Sequence, residues 1–276
     1  MFKINKHGSI VMKRAIFNQK GGVGKTSISC NLAAMSAIQG YKTLLIDLDV
    51  QGNASYYLGY KSDENKNNTG TVAELLNQTA TWFSTTKPIK SFPQASNIEN
   101  LDFIPSSPEL EQLEKELERR YRIYKLKDCL DELSKYYDRI YLDTPPNLNF
   151  YSKSALIASN SVLIPFDCDT FSHHAVHNVL QNIEELKEDH NRQLKVEGII
   201  VNQFTKNAKH PQKLIDQLIS DNLPVLEPFL SASIKMKESH HIQVPLVDFL
   251  PQHKLSLEFE SLHKNIERYE SKNEEI

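Results

Sequence analysis

Short apolar runs alternate with amphipathic segments along most of this 276-residue chain. Six apolar runs have the length of buried strands: residues 15–17, 43–46, 101–104, 139–143, 161–165 and 196–201. Seven segments have the length and spacing of helices: residues 28–38, 71–76, 109–122, 126–137, 174–187, 213–219 and 255–269. A further apolar stretch, residues 246–249, is predicted to be a late edge strand.

The alternation of strands with helices predicts an α/β fold of one domain, a doubly wound, mostly parallel sheet flanked by helices. No repeat or linker divides the chain, so we assign this domain to residues 13–270. Residues 1–12 are polar and basic and are expected to be an extension, either an alternative start, an expression remnant or a disordered arm. Residues 61–68 predict an exposed loop, and residues 271–276 predict a polar tail.

The composition excludes some classes of protein. A net charge of −3 argues against a uniformly basic coat for nucleic acid, so any DNA contact must be local. The three cysteines, Cys30, Cys129 and Cys168, lie far apart without metal-ligand spacing, which fits reduced thiols in the cytosol. No apolar run reaches the roughly 18 residues of a membrane span, and no signal-peptide pattern opens the chain. We therefore expect a cytoplasmic protein that does not bind membranes.

Residues 18–26, N-Q-K-G-G-V-G-K-T, predict a phosphate-binding loop. Three glycines without Cβ atoms let the backbone wrap around a ligand and point its N–H groups at phosphate oxygens. They are Gly21, Gly22 and Gly24. Lys25 adds a positive charge, and Thr26 supplies a hydroxyl for Mg²⁺. An apolar strand precedes the loop and a helix follows it, an order that favours this interpretation over a flexible glycine-rich turn.

Acidic residues follow two of the predicted strands. Asp47 and Asp49 come at the end of the second strand, and Asp143 ends the strand at 139–143. The carboxyl ends of parallel strands meet at one edge of the sheet, the edge that also carries the loop. Solvated loop charges are the alternative, but this placement favours a role in holding Mg²⁺ and activating water for phosphoryl transfer.

The loop departs from the general Walker pattern because Gln19 replaces a glycine and a second lysine, Lys20, follows it. In this form it resembles the deviant Walker A loop of the ParA/MinD family of dimerising ATPases. The resemblance covers residues 13–267 and implies a P-loop NTPase fold of the SIMIBI type. It also implies that Lys20 reaches across a dimer interface to the partner's nucleotide, and that Lys20, Lys25 and Asp49 are the catalytic residues.

Two further segments carry the resemblance. Residues 47–53, D-L-D-V-Q-G-N, are similar to the family's first switch, D-x-D-P-Q-G-N, with Val50 in place of the proline, a loss that could loosen the switch. By that match Asp49 orients the attacking water and Asp47 supports the Mg²⁺ and switch network. Residues 143–146, D-T-P-P, resemble the second switch, D-x-P-P, in which Asp143 holds the Mg²⁺ through water.

ATP and Mg²⁺ are the cofactors that the resemblance implies. The residues expected to hold the nucleotide are Gly21, Gly22, Val23, Gly24, Lys25, Thr26, Ser27 and Asn202. The residues expected at the Mg²⁺ are Thr26, Asp47 and Asp143, the acids through water. Asn202 ends a strand like the one beside the adenine in the family, and its amide can donate to and accept from a base edge. A turn-forming asparagine after a strand is the alternative.

Residues 229–238 resemble a family segment with the pattern I-P-x-N-x-x-L-S-E, but Leu230-Ser231 replaces Ile-Pro. We therefore assign no nucleotide contact there. In the family, Lys235 falls at a position that often carries a basic residue for non-specific DNA binding.

Residues 203–215 contain three lysines and no acid. These lysines could form a basic strip with two lysines further along the chain. The candidates are Lys206, Lys209, Lys213, Lys235 and Lys237. A solvated surface is the alternative interpretation of such a group, and the family resemblance favours sequence-independent DNA binding. No helix-turn-helix segment precedes the loop, so operator-specific binding is not expected.

His173, His174 and His177 have helical spacing, and His240 and His241 are adjacent. No acid or cysteine completes a metal site with either group, so surface histidines are the favoured interpretation.

The leading hypothesis is a ParA-like ATPase that forms a homodimer on binding ATP, binds DNA non-specifically and partitions a plasmid, a chromosome or another cargo. A ParB-like partner would stimulate hydrolysis, and the ATP-bound form would lie on the nucleoid. A MinD-like, membrane-associated positioning ATPase is the alternative, although the hydrophilic, Glu-rich end of the chain lacks the basic amphipathic helix that this needs. An iron–sulfur reductase would need cysteines near the second switch, which Cys129 and Cys168 do not supply.

Overall fold

The computed structural model describes residues 11–61, 70–78, 86–167, 173–205 and 209–274. The N-terminal ten residues, most of the predicted loop at 61–68, Cys168, Lys206 and the last two residues lie outside this part of the chain.

Eight strands of the described chain form one sheet in the order β3-β4-β2-β5-β1-β6-β7-β8. In chain order they are β1 (Met12–Ile16), β2 (Thr43–Asp47), β3 (Gln94–Ala95), β4 (Leu101–Ile104), β5 (Arg139–Asp143), β6 (Ser161–Asp167), β7 (Lys195–Asn202) and β8 (Val225–Leu226). All neighbouring pairs are parallel except β3 with β4 at the edge. The predicted doubly wound, mostly parallel sheet is confirmed.

Helices cover both faces of the sheet. They are α1 (Lys25–Ile38), α2 (Asn53–Tyr57), α3 (Val72–Asn77), α4 (Leu110–Arg119), α5 (Lys125–Leu133), α6 (Phe150–Ala158), α7 (His173–His190), α8 (Lys209–Ser220), α9 (Ile234–His241), α10 (Leu246–Phe249) and α11 (Lys254–Glu274), with a 3₁₀ turn at Ile89–Ser91. One apolar cluster lies under α3 to α8 and the other under α1, α2, α10 and α11. The central strands β1, β2 and β5 are buried on both faces, which explains the apolar residues that dominate β2 and β5.

The predicted helix at 109–122 is α4, and its charges lie on a solvated face. Leu110, Leu113 and Leu117 recur at helical spacing and are buried, while the glutamates and arginines of this segment are exposed or half-buried. Among the helices that the structure describes, none is long and apolar enough to cross a bilayer.

The prediction of an edge strand at residues 246–249 is wrong, because this segment forms α10. Pro245 precedes it, and the apolar side chains of Leu246 and Val247 are buried against the α1 face of the sheet. Side chains of other helices satisfy the first backbone N–H groups. Leu246 N donates to Tyr57 Oη at 3.1 Å, and Val247 N donates to Asn31 Oδ1 at 3.1 Å. These distant acceptors make a short helix possible where local composition favours a strand.

An ion-pair network fastens α11 to the sheet. Glu267 accepts hydrogen bonds from Arg14 of β1 at 3.0 Å and from Arg139 of β5. Arg14 is fully buried and also pairs with Glu197 of β7 at 3.0 Å. Burial acts to raise the pKa of Glu267, but the two guanidinium groups overcome that effect and lower it to about 2. The closing helix is therefore held by charge as well as by apolar packing.

Candidate functional site

The predicted phosphate loop joins β1 to α1 and has the backbone of an anion cradle. Gly22 and Gly24 have φ angles of 80° and 90°, in the left-handed region that favours glycine. The first hydrogen bond of the helical ladder runs from Ile28 N to Gly24 O at 2.9 Å. The N–H groups of residues 25–27 therefore lie ahead of the ladder, at the positive end of the helix dipole. An anionic group is the ligand that such a terminus binds best.

Lys25 is buried and folds back over this loop. Its Nζ donates a hydrogen bond to the carbonyl oxygen of Lys20 at 2.6 Å. Burial lowers the pKa of the Lys25 ammonium, and the nearby Asp143 and Asp49 act in the opposite direction. The ammonium therefore lies between the loop backbone and two acids, where a phosphate oxygen would be a strong competing acceptor.

Asp143 and Asp47 lie next to each other where β5 and β2 end. The two residues are register partners on neighbouring parallel strands, and both are fully buried. Asp143 accepts hydrogen bonds from the hydroxyls of Thr26 and Ser29, each at 2.8 Å. Asp47 accepts from the backbone N and the hydroxyl of Ser55 at 2.7 and 2.6 Å. Burial raises the pKa of both carboxyl groups; the charge of Asp49 adds to the rise at Asp47, and the charges of Asp47 and Asp49 add to the rise at Asp143.

This group of oxygen atoms fits Mg²⁺. Two carboxylates and a threonine hydroxyl are the hard oxygen ligands that this ion prefers, directly or through water. The raised pKa values indicate that a cation between the acids would stabilise their ionised forms, because their negative charges are poorly solvated and repel each other. The predicted Mg²⁺ residues Thr26, Asp47 and Asp143 are thus brought together, and an ion would relieve the cost of their burial.

Asp49 lies just beyond Asp47 in the turn that leads into α2. Its N–H donates to Asp47 Oδ1 at 3.1 Å, and its own Oδ1 accepts from Gln51 N at 3.0 Å. Its carbonyl oxygen accepts a hydrogen bond from the Ser106 hydroxyl after β4. The turn is therefore held by its own carboxylates and by a neighbouring loop, without the proline that Val50 replaces. The role of Asp49 in orienting water stays a prediction.

Asn202 and Gln203 contact the outer side of the loop. Asn202 Nδ2 donates to Val23 O at 3.0 Å, and Gln203 Nε2 donates to Gly22 O at 3.3 Å. A Cβ atom at Gly24 would lie 2.2 Å from Asn202 Nδ2, so Gly24 lets the end of β7 approach the loop closely. The base-reading role of Asn202 stays a prediction, and the structure adds a role that sequence reasoning missed, support of the loop carbonyls.

A second missed contact joins the loop helix to α9. Ser27 Oγ lies 2.8 Å from His240 Nε2, and the His240 ring stacks on Tyr57 of α2 with centroids 3.8 Å apart and an interplanar angle of 13°. Burial lowers the pKa of His240. The residues are 213 positions apart, so no local pattern could have revealed the pair. His240 is therefore a residue of this site, in contrast to the prediction of a surface histidine.

The candidate DNA-binding lysines are only partly described. Lys213 on α8 and Lys237 on α9 are exposed, whereas Lys235 forms an ion pair with Glu238 at 2.6 Å. The backbone of Lys209 belongs to α8, and Lys206 lies outside the described residues. Of the other histidines, His177 lies 3.0 Å from Asp221, and the described part of the chain holds no cluster of three metal-ligating side chains.

Known proteins are similar to this chain in sequence and in fold. A family model described as an AAA domain (AAA_31) matches residues 11–196. The chromosome partitioning protein ParA of Myxococcus xanthus is 34% identical over 235 residues, which cover 84% of this chain and 79% of that protein. The sporulation initiation inhibitor protein Soj of Bacillus subtilis is 33% identical over 205 residues, which cover 74% of this chain and 77% of that protein.

A solved structure shares the fold. Cobyrinic acid a,c-diamide synthase from Mycobacterium smegmatis, with a bound ATP analogue and magnesium, superposes with a TM-score of 0.79 over 95% of this chain and 96% of that one. Its sequence identity of 24% supports likeness of fold alone.

Proposed function

The chain belongs to the ParA family of partition ATPases, within the ParA/MinD superfamily, and we propose that it is a Mg²⁺-dependent ATP hydrolase whose ATP-bound form dimerises and positions a cargo on DNA. One observation carries this proposal. The carboxyl ends of β1, β2 and β5 bring the loop lysine, the Thr26 hydroxyl and two buried carboxylates to one edge of the sheet. That arrangement suits the binding and hydrolysis of a nucleoside triphosphate.

The loop binds the phosphates in this proposal. The N–H groups of residues 25–27 donate to phosphate oxygens, and the Lys25 ammonium exchanges its hydrogen bond with Lys20 O for one with the nucleotide. Thr26, Asp47 and Asp143 would hold Mg²⁺, which neutralises charge on the phosphates when it is bound. The helix terminus, the lysine and the ion site would then act on the same anionic group.

Asp49 orients the attacking water in the proposed reaction. Its backbone is held by Asp47 and Ser106, so its carboxylate follows the geometry of the Mg²⁺ acids. A carboxylate in this place accepts a hydrogen bond from water and aligns it with the phosphorus. Lys20 would act at the partner's nucleotide, which makes the dimer part of the active site.

The first experiment is nucleotide binding by the wild type and by Lys25→Ala, measured by titration calorimetry with Mg²⁺ and a non-hydrolysable ATP analogue. We expect the wild type to bind and Lys25→Ala to lose binding, because the variant removes the buried ammonium that lies beside Asp143 and Asp49. Equal affinities would overturn the assignment of the phosphate site. A matched control is Lys187→Ala, which removes a half-exposed lysine paired with Glu184 on α7.

Binding to non-specific duplex DNA is the next step of the proposal. It should require ATP, because only a dimer presents two copies of the lysine-bearing surface, and it should weaken at high salt. Measurements with ATP, with ADP and without nucleotide, each at two salt concentrations, test it.

A ParB-like protein is the proposed activator, and a rise in ATP turnover on adding one would support that role.

A MinD-like positioning ATPase remains the second candidate, since MinD proteins belong to the same superfamily. Co-sedimentation with anionic liposomes separates the two functions. ATP-dependent sedimentation with lipid and none with DNA would favour the MinD-like function, and the opposite result would favour partition.

A colourless purified protein would argue against the iron–sulfur reductase, and buried Cys30 and Cys129 are poorly placed for a cluster.

A further inference from the structure

We propose that His240 is a positioning residue of the nucleotide site: its Nε2–H donates to Ser27 Oγ, which leaves the Ser27 hydroxyl hydrogen free to bind a nucleotide phosphate. This inference rests on the proposed function, because it gives one more residue to the same phosphate site. It also links that site to α2, because the His240 ring stacks on Tyr57.

Ser27 is placed to contact the phosphates. It is the third residue of α1, and its N–H lies ahead of the first hydrogen bond of the helical ladder. Ser27 follows Thr26, whose hydroxyl donates a hydrogen bond to Asp143 at 2.8 Å. The side chain of Ser27 is only half-buried. Ser29, two residues further along α1, uses its hydroxyl within the fold, as a donor to Lys25 O and Asp143. Ser27 is thus the serine of this turn whose hydroxyl lies at the open end of the helix.

The direction of the Ser27–His240 hydrogen bond decides what the hydroxyl can do. A serine hydroxyl has one hydrogen to donate and two lone pairs to accept with. If His240 Nε2 accepts, the single hydrogen is used and the lone pairs of Ser27 face the phosphate. If Nε2–H donates, the hydroxyl hydrogen is free for a phosphate oxygen. A bound anion therefore selects the second arrangement, and His240 reinforces nucleotide binding without touching the nucleotide.

The surroundings of His240 hold its ring in the orientation this requires. The ring lies flat against Tyr57, at a centroid distance of 3.8 Å. Tyr57 Oη is itself fixed by Ser239 Oγ at 2.7 Å and by Leu246 N at 3.1 Å. Burial lowers the pKa of His240, so the ring is neutral near pH 7 and carries one hydrogen, which can lie on Nε2. Contacts from three helices, α2, α9 and α10, thus hold His240 Nε2 against Ser27.

The same contacts couple the phosphate end of α1 to the first switch. Tyr57 is the last residue of α2, which begins directly after the turn that carries Asp49. A nucleotide that orders Ser27 and His240 would therefore also order α2. This consequence concerns nucleotide affinity more than the chemical step, because His240 does not reach the reacting atoms.

Four variants separate the hydrogen bond from the stacking. His240→Gln places an amide nitrogen near the position of the imidazole Nε2, so it keeps the donor and removes the ring. His240→Phe keeps an aromatic ring on Tyr57 and removes the donor. Ser27→Ala removes the other partner, and Ser27→Ala combined with His240→Phe closes a double-mutant cycle. His241→Gln is the matched control, since His241 is the next residue of α9 and is exposed.

The readouts are the affinity for Mg²⁺ with a non-hydrolysable ATP analogue, and KM and kcat for ATP. We expect His240→Phe and Ser27→Ala each to weaken binding about tenfold, and the double variant to weaken it no further than one of them, because both remove one interaction. His240→Gln should stay within about threefold of the wild type, and kcat should change little in all of them. Spectra of ¹⁵N-labelled histidine, with His240 assigned by its absence in His240→Gln, should show Nε2 protonated in the nucleotide complex.

Two results would overturn the inference while the proposed function stands. One is a wild type that binds the analogue with His240→Phe binding equally well. The other is a His240→Gln variant as weak as His240→Phe, which would assign the effect to the missing ring or to packing. Thermal unfolding of each variant identifies weakened binding that comes from a damaged fold. If neither the wild type nor His241→Gln binds nucleotide, the proposed function itself is wrong and the inference is overturned with it.

Discussion

Asp47 and Asp143 are register partners at the ends of β2 and β5, and both carboxyl groups are fully buried. Two like charges in this position cost free energy, and burial, with added repulsion from neighbouring carboxylates, raises both pKa values above the ordinary 3.8. The fold keeps this unfavourable pair at the mouth of the phosphate loop, which is best explained by the cation that the pair can hold.

The pair predicts a pH-dependent effect of Mg²⁺ on stability. Because both pKa values are higher in the folded state, the folded protein binds more protons than the unfolded chain above pH 3.8, so stability without the ion falls as pH rises through the raised values. Mg²⁺ competes with those protons. We therefore expect Mg²⁺ with nucleotide to raise the melting temperature more at pH 8 than at pH 5.5, as measured by scanning calorimetry.

Asp143→Asn should reduce that pH dependence, since it removes one of the two charges while the amide oxygen still accepts from Thr26 or Ser29. The prediction would be contradicted by an Mg²⁺ effect on Asp143→Asn as large, and as dependent on pH, as that on the wild type.

Asp49 should be needed for hydrolysis more than for binding. Asp49→Ala should bind ATP and remain in the ATP-bound form while turnover falls about a hundredfold, the range expected for a residue that orients and activates water. Asp49→Asn is the sharper variant, because its amide oxygen can still accept from Gln51 N and preserve the turn. Normal turnover in either variant, measured by phosphate release under saturating ATP, would show that the role assigned to Asp49 is wrong.

Lys20 should be needed for dimerisation more than for nucleotide affinity. In the described chain its backbone N donates to Asn18 Oδ1 at 3.0 Å and its carbonyl oxygen accepts from Lys25. Lys20→Ala keeps both backbone contacts, so the loop should retain most of its affinity for ATP. Light scattering with Mg²⁺ and an ATP analogue should find a monomer where the wild type is a dimer. A Lys20→Ala dimer of wild-type stability would contradict the proposed contact with the partner's nucleotide.

The exposed lysines predict salt-sensitive DNA binding. Lys213→Ala and Lys237→Ala should each weaken binding of the ATP form to random duplex DNA. Each should also lower the slope of log affinity against log salt by about 1 for every phosphate that a subunit no longer neutralises. Lys264→Ala, on α11 and paired with Glu260, serves as the control. Unchanged slopes for Lys213→Ala and Lys237→Ala would place the DNA-binding surface elsewhere on the protein.

Glu267 should stabilise the fold. Replacement of Glu267 by Gln removes the carboxylate that Arg14 and Arg139 share and leaves Glu197 as the carboxylate beside Arg14, and it should cost about 3 kcal/mol in the free energy of unfolding at pH 7. The lowered pKa of Glu267, about 2 against an ordinary 4.5, means that this contribution is present above pH 4.5 and is lost as the pH falls toward 2. Urea unfolding at pH 7 and pH 3 should therefore find a smaller difference at the lower pH.

Glu260→Gln, on the same helix, is the matched control, because the Glu260–Lys264 pair is exposed and should contribute less than about 1 kcal/mol. Equal destabilisation in the two variants would show that charge burial does not distinguish Glu267.

The sequence predicted those parts of the site that lie within a few residues of a recognisable strand or helix. The loop from Gly21 to Thr26 stands between an apolar strand and a helix, and Asp47, Asp49 and Asp143 follow apolar runs. Parallel strands carry their carboxyl ends to one edge, so the meeting of these residues could be anticipated without coordinates. The helix at 246–249 could not be predicted from the sequence, since the acceptors for its first N–H groups, Asn31 and Tyr57, lie about two hundred positions away.

What the sequence by itself determined is thus the alternation of the six longer strands with helices, and the loop and acids that meet at one edge of the sheet, because local spacing and the rules of parallel sheets govern all of them. Only the tertiary structure decided that Asn202 supports the loop, that His240 lies against Ser27, and that Glu267 neutralises Arg14 across 253 positions. Those contacts depend on how β7 and the helices from the end of the chain pack on the first strand, the loop and the first helix, and packing of that kind leaves no periodic trace in the sequence.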